Sequence, residues 1–196
     1  MADIKSAWEI AQEKLGKIGE ATPEERVRWK YIPEGERLAA QYIKDDTNLA
    51  AEINKYNNAG ERKYVKEGVE EVLIRNISLP TTDFARKNNK RIMDTLKSLK
   101  KDKVAVENIY SQMRRIFQHY VSTGEEQRKQ AYQQLKMDFA GRLREAMAQQ
   151  GINPETRVDV ERQPEFQSEW RKMSARLDEQ YIKHLDEFKK QLVAVE

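Results

Sequence analysis

Few residues in this chain have side chains suited to metal binding or acid–base catalysis. It has two histidines, His119 and His184, and among its adjacent carboxylate pairs Asp45 and Asp46 are the most unusual. Helical di-iron sites use a glutamate three residues before each histidine, and neither histidine here has one. The Asp45–Asp46 pair interrupts an apolar helical pattern, which predicts an exposed turn rather than a catalytic pocket. The sequence therefore predicts no metal site and no catalytic carboxylate pair.

Other catalytic and cofactor motifs are also missing from the sequence. The chain has no cysteine, which excludes thiol catalysis, disulfides and thiolate metal sites. The span from Gly60 to Gly68 lacks the spacing of a phosphate-binding glycine loop, and no serine has the flanking glycines of a hydrolase nucleophile. We therefore expect a protein that is not an enzyme and that needs no cofactor.

The most distinctive segment is the basic stretch FARKNNKRIMDTLKSLKKDK, residues 84–103. It holds eight basic and two acidic residues, and residues 84–118 as a whole carry a net charge of +7. At 100° per residue the basic side chains fall on the helix face opposite the apolar one. This predicted basic face consists of Arg86, Lys87, Lys90, Arg91, Lys97, Lys100 and Lys101.

Two interpretations of the basic face follow. A helix needs a hydrated side, so the lysines are most simply a solvated face or one paired with acidic segments. The alternative is a sequence-nonspecific nucleic-acid-binding face over residues 86–101, because clustered cations attract phosphates whatever the base sequence. The absence of an aromatic residue within the face and a pI of about 8.9 favour the first interpretation.

The elements that would carry these residues are helices throughout. Apolar residues recur every three or four positions, and the composition is 35% charged with 8 glycines and 5 prolines. The pattern predicts a first helix with a stripe from Ile4 to Ile18. A short helix should begin at the capping signal of Thr22, Pro23 and Glu25 and end at Pro33. Helices should follow over residues 38–56, broken near residue 45, and over residues 64–77.

The apolar pattern in the second half of the chain predicts longer helices. One long helix, called the spine, should run from Asp83, capped by Thr81 or Thr82, to Val121, either unbroken or broken near residues 101–103. Two more helices should cover residues 125–151 and 166–195, joined by a linker with a short extended piece near Val158 and Val160. We therefore predict an all-α fold, an elongated antiparallel helical bundle with long coiled-coil-like helices. Residues 1–80 would form a short-helix region and residues 81–196 a long-helix bundle, or the two would be one continuous domain.

Association between copies is expected from the narrowness of the apolar stripes. Stripes close to the two-in-seven pattern of coiled coils bury little area, so a symmetric homodimer would add to the core. The residues expected to carry this packing and interface are Leu96, Met113, Phe117, Trp170, Leu177 and Leu185. The function predicted is a non-catalytic, self-associating helical scaffold or interaction protein whose protein partner is unknown.

The cytoplasm is the expected location. The first residues, MADIKSAWEI, lack the apolar core of a signal peptide, and no apolar run approaches the ~20 residues that span a bilayer, so no membrane partner is expected. The N-terminal tenth of the chain, SAWEIAQEKLGKIGEATPEER, resembles the N-termini of small uncharacterised bacterial helical proteins of unknown function. That resemblance implies a prokaryotic origin and assigns no functional residue.

Overall fold

The computed structural model describes residues 22–45, 47–151, 153 and 158–195, and within them every regular element is helical. The predicted helix from Ile4 to Ile18 lies outside the described residues. The all-α prediction is confirmed. The helices are α1 (Pro23–Asp45), α2 (Leu49–Asn54), α3 (Ala59–Asn76), α4 (Asp83–Leu99), α5 (Lys103–Val121), α6 (Thr123–Gln149) and α7 (Pro164–Ala194), with a 3-10 turn at Val160–Arg162.

Two compact units divide the chain, residues 1–72 and residues 73–196. The predicted division into residues 1–80 and 81–196 stays a prediction. In the first unit, α1 and α3 cross at two buried glycines. A Cβ carbon on Gly35 would lie 2.0 Å from the carbonyl oxygen of Val65, and one on Gly68 would lie 2.2 Å from that of Ile32. The two backbones therefore touch directly, which only glycine permits.

The prediction that a helix ends at Pro33 is wrong, because α1 continues through that residue to Asp45. Proline lacks the N–H that would bond the carbonyl four residues earlier, which disfavours a helix interior. Here the local cost is offset by packing that follows the proline, since Gly35, Ala39 and Tyr42 are all buried. The predicted break near residue 45 is confirmed as the end of α1; Asp46 lies outside the described residues.

Two helix starts agree with their predicted caps. The Thr22 hydroxyl accepts a hydrogen bond from the Glu25 backbone N–H at 3.2 Å, and the Glu25 carboxylate accepts one from the Thr22 N–H at 2.8 Å. Thr82 caps α4 by accepting from the Ala85 N–H at 3.1 Å. Such bonds satisfy the donors that the first turn of a helix leaves open.

The spine predicted from Asp83 to Val121 is broken, as in the second of the two alternatives. α4 ends at Leu99 and α5 begins at Lys103. The Asp102 carboxylate caps α5 by accepting from the backbone N–H groups of Val104 at 3.1 Å and Ala105 at 2.8 Å. An aspartate at this position favours a new helix start over continuation. The Lys97 ammonium on α4 contacts the Glu107 carboxylate on α5, so the two helices turn back on one another as an antiparallel hairpin.

The core of the second unit lies where α5, α6 and α7 pack together. Of the predicted packing residues, Leu96, Met113 and Leu185 are buried, whereas Phe117, Trp170 and Leu177 are half-buried. The extended piece predicted at Val158 and Val160 is wrong at Val160, which begins the 3-10 turn. The Asp159 carboxylate caps that turn by accepting from the Glu161 N–H at 3.2 Å.

Candidate binding cleft

A surface cleft of about 380 Å³ lies along the α4–α5 hairpin. Its lining residues on α4 follow helical spacing, as do those on α5, so each helix presents two turns of one face. From α4 come Arg86, Asn89, Lys90, Met93 and Asp94, from α5 come Arg114, Phe117, Gln118 and Val121, and Pro80 precedes α4.

The cleft combines apolar and cationic groups. Its apolar lining is made by Pro80, Met93, Phe117 and Val121, of which Met93 is 6% exposed. Arg86, Lys90 and Arg114 contribute three positive charges and Asp94 one negative charge. A groove of this composition offers contact area to an apolar group and favours acidic groups beside it.

One end of the cleft is fixed by a buried asparagine. Asn89 is 3% exposed, and its side chain pairs with both backbone groups of Ser78. Its Oδ1 accepts from the Ser78 N–H at 3.0 Å, and its Nδ2 donates to the Ser78 carbonyl at 2.6 Å. The turn that precedes α4, and with it Pro80, is therefore held against the helix.

An ion-pair bridge joins the two helices beside the cleft. The Glu107 carboxylate on α5 accepts from Lys97 on α4 at 2.5 Å and also contacts Arg114. The Lys97 hydrogen bond, followed by that of Arg114, holds the pKa of Glu107 below its ordinary value. Arg86 pairs with Asp83 at 2.5 Å on its own helix.

The seven residues of the predicted basic face do not share one environment. Arg86 and Lys90 line the cleft, whereas Lys87 and Lys101 are exposed outside it. Arg91 is half-buried and donates to the Asn88 side-chain oxygen at 3.3 Å. The remaining two, Lys97 and Lys100, are engaged elsewhere in the fold.

The placement of Lys100 on an exposed face is wrong. Lys100 is 5% exposed, and its ammonium donates to the Val195 carbonyl oxygen at 2.5 Å. The helical wheel fails here because α4 ends at Leu99 and Lys100 adopts an extended backbone, with φ −74° and ψ 147°. Its side chain therefore points toward the last turn of α7 instead of solvent.

Sequence reasoning missed the partners that α5 brings to the cleft. From the sequence, Arg114 counts only toward the net charge of residues 84–118, and Phe117 counts only as a packing residue. The available signal was the matched spacing of mixed cationic and apolar residues on α4 and α5. It also missed Phe84 at the start of α4, an aromatic side chain that is 76% exposed.

A second cavity, of about 500 Å³, brings together both histidines of the chain. His119 on α5 contacts Tyr181 on α7, with 2.8 Å between the imidazole Nδ1 and the phenol oxygen. His184 follows one turn later on α7. The complete lining is Arg115, Ile116, His119, Gln127, Leu177, Gln180, Tyr181 and His184.

A half-buried polar network supports this cavity. Arg128 on α6 pairs with Asp178 on α7 at 3.2 Å, and its guanidinium stacks 3.9 Å from the centre of the Tyr120 ring. Burial raises the pKa of the Tyr120 phenol, which remains protonated and donates to Asp178 at 3.3 Å. The Tyr120 ring in turn meets the Tyr181 ring edge-on, with centroids 5.1 Å apart.

Neither a metal cluster nor a membrane span is found among the described residues. Across residues 22–45, 47–151, 153 and 158–195, no three His, Asp or Glu side chains are grouped so as to hold a metal ion. In the same ranges, none of the helices combines the length and apolar character needed to cross a bilayer.

Comparison with known proteins places the chain in a family. No curated protein and no solved structure matches the chain. A family model described as "Family of unknown function (DUF6657)" matches residues 50–194, which include α3 to α7 and both cavities. The chain therefore belongs to this family of unknown function, DUF6657.

Proposed function

We propose that this protein is a non-catalytic helical interaction protein whose α4–α5 cleft binds an acidic amphipathic helix of a protein partner. The observation that carries the proposal is the cleft itself, an apolar groove of about 380 Å³ bordered by Arg86, Lys90 and Arg114. Grooves between helices commonly bind the apolar face of a partner helix.

The dimensions of the groove suit a short helical segment. The lining extends from residue 86 to residue 94 on α4 and from residue 114 to residue 121 on α5. At 1.5 Å per residue, each wall is about 10–12 Å long, which is two turns of a docked helix. Two or three apolar anchors at positions i, i+3 or i+4, and i+7 would contact the apolar lining of Met93, Phe117 and Val121.

The charges suit acidic residues beside those anchors. Arg86 and Arg114 already contact Asp83 and Glu107 of this chain, so an incoming carboxylate would compete with an internal one. Lys90 lies one turn after Arg86 on α4 and is the cation we expect to contribute most. Among the lining side chains the titratable groups are these three cations and Asp94, an arrangement that favours binding over acid–base chemistry.

Self-association is a further part of the proposal, but with a smaller set of residues. Leu96, Met113 and Leu185 are buried within the chain and are therefore engaged in its own core. Trp170 on α7 is half-buried and is the residue that we expect to contact a second copy, because Phe117 and Leu177 line the cleft and the second cavity. Sedimentation equilibrium of the wild type and a Trp170→Glu variant tests this part: loss of a dimer supports it, and a wild-type monomer at all concentrations refutes it.

Sequence-nonspecific nucleic-acid binding remains the second candidate. It is favoured by the exposure of Lys87 and Lys101 and by the exposed Phe84 ring, which could stack on a base. If the protein binds nucleic acid, all exposed cations of α4 and of its C-terminal end should contribute to binding. If the cleft binds a partner helix, only the cations that line the cleft should contribute.

The two candidates are separated by matched charge reversals. A labelled amphipathic peptide of about 16 residues, with leucines at i, i+3, i+4 and i+7 flanked by glutamates, is titrated by fluorescence anisotropy. We expect Lys90→Glu to weaken binding at least about tenfold, which corresponds to 1.4 kcal/mol, and Lys101→Glu to leave it unchanged. A scrambled peptide of equal composition should bind none of the three proteins, the wild type and the two variants.

A parallel titration uses a mixed-sequence DNA or RNA duplex over a series of salt concentrations. Binding to the duplex with a steep salt dependence, weakened equally by Lys101→Glu and Lys90→Glu, would replace the cleft proposal with the nucleic-acid one. Peptide binding that does not distinguish the scrambled sequence, or that Lys90→Glu leaves intact, would refute the cleft as a helix site.

A further inference from the structure

The second cavity has a lining that selects for one kind of ligand. Its polar side chains are Arg115, His119, Gln127, Gln180, Tyr181 and His184. Each of these carries an N–H or O–H donor, and no aspartate or glutamate lines the cavity. Arg115 therefore gives the lining a positive charge that no acidic side chain of the lining offsets. We propose that this cavity binds a small organic anion, a carboxylate or sulfonate with an apolar body.

The apolar part of the lining accounts for the apolar body of the ligand. Ile116 on α5 and Leu177 on α7 contribute the aliphatic surface. The volume of about 500 Å³ lies within the range of small-molecule sites. A bare inorganic anion would leave this surface in contact with water, whereas an aromatic or aliphatic acid covers it.

Two of the donors, those of His119 and Tyr181, are held in place before a ligand arrives. The His119 Nδ1 atom is engaged by the Tyr181 phenol at 2.8 Å, so Nε2 is the atom of His119 that can contact a ligand. Tyr181 is itself confined, because a Cβ carbon on the buried Gly124 would lie only 2.7 Å from its phenol oxygen. Such preorganisation lowers the entropy lost on binding.

Asp178, the carboxylate that follows Leu177 of the lining, is already paired. Asp178 accepts from Arg128 at 3.2 Å and from the Tyr120 phenol at 3.3 Å, and both side chains of the Arg128–Asp178 pair are mostly buried. Its charge therefore opposes an incoming anion only weakly. Arg115 supplies a positive charge directly in the lining, and a charge-assisted hydrogen bond is the stronger kind.

The histidines provide a direct readout, because the chain has only two and both line this cavity. Their ring proton and carbon signals are followed by NMR while sodium benzoate is added to the full-length protein. Benzyl alcohol serves as the neutral control with the same ring, and acetate as the anion without it. We expect both histidine signals to shift to saturation with benzoate, with a dissociation constant on the order of 1 mM for so small a ligand.

Two variants and a matched control complete the test. Gln180→Glu keeps the side-chain size but places a carboxylate in the lining, and Arg115→Gln removes the positive charge. Each should weaken benzoate binding about tenfold or more. Arg144→Gln, an exposed arginine of α6 outside the cavity, should leave binding unchanged. The melting temperature of each of the three variants is measured first, and benzoate binding is compared among the variants that melt at the wild-type temperature.

Three results would overturn the proposal. The histidine signals could stay unmoved by benzoate, benzyl alcohol could shift them as strongly, or folded Gln180→Glu and Arg115→Gln could bind as the wild type does. The outcome is independent of the cleft on α4 and α5, since neither the variants nor the reporter residues line it.

Discussion

Replacing Gly68 by alanine tests the contact between α1 and α3. In an ordinary helix interior this change is stabilising by about 1 kcal/mol, because glycine loses more backbone entropy on folding. Here the added Cβ carbon would lie 2.2 Å from the Ile32 carbonyl oxygen, whereas such carbons keep at least 3.0 Å from other atoms. The two helices would have to separate by about 0.8 Å along their contact.

The magnitude follows from these opposing effects. The obstacle is backbone, which cannot rotate away as a side chain can, so the cost should approach the upper end of the roughly 1–3 kcal/mol that overpacking incurs. After the gain of about 1 kcal/mol in helix propensity, a net loss of about 2 kcal/mol remains. For a unit of this size that corresponds to a fall in Tm of about 10 °C.

Differential scanning calorimetry of three proteins gives the test. The control is Gly141→Ala in the interior of α6, where nothing lies within 4 Å of the added carbon, and a gain of about 1 kcal/mol is expected. Opposite signs for the two substitutions would support the crossing. If Gly68→Ala stabilised the protein as Gly141→Ala does, the close approach of α1 and α3 would be refuted.

Two further predictions concern the α4–α5 hairpin. Lys100→Glu should lower the free energy of unfolding by about 3 kcal/mol, because it buries a carboxylate against a carbonyl oxygen. Lys101→Glu, at an exposed position, should change the free energy of unfolding by less than about 0.5 kcal/mol. Equal effects of the two substitutions in urea unfolding would contradict the burial of Lys100. Because the pKa of Glu107 is lowered in the folded protein, its ion pairs stabilise the fold at pH values above its ordinary pKa. That stabilisation is lost as the pH falls through the lowered pKa. Carboxyl NMR should therefore show Glu107 titrating at a lower pH in the wild type than in Lys97→Met, and identical titrations would rule out the bridge.

The features that sequence predicted correctly are those set by local interactions. The caps at Thr22 and Thr82 could be predicted from sequence, because each threonine hydroxyl bonds a backbone N–H only three residues away. The continuation of α1 through Pro33 was not readable, because it depends on a crossing with Gly68 of another helix. Helical spacing identified the buried Leu96 and Met113, because the period of a helix is also a local property of the chain.

The sites were less predictable because their residues come from separate helices. His119 and His184 each looked isolated in the sequence, and only the packing of α5 against α7 places them in one cavity. The basic face was predicted as one surface from an ideal wheel, but the helix end at Leu99 removes Lys100 from it. A pattern of spacing fixes which residues share a helix face, and it does not fix what covers that face.

The hydrogen bond from Lys100 to Val195 has a consequence for the order of folding. It joins residues 95 positions apart, whereas the Lys97–Glu107 bridge joins residues only 10 apart. During synthesis the α4–α5 hairpin can form early, since closing a short loop loses little chain entropy. The ammonium of Lys100 would stay hydrated until the last turn of α7 has been made. Burial of this one lysine therefore needs a contact that closes a far longer loop than the hairpin does. In a refolding experiment the backbone amides next to Lys100 should gain protection from hydrogen exchange later than those of the α4–α5 hairpin beside Lys97 and Glu107.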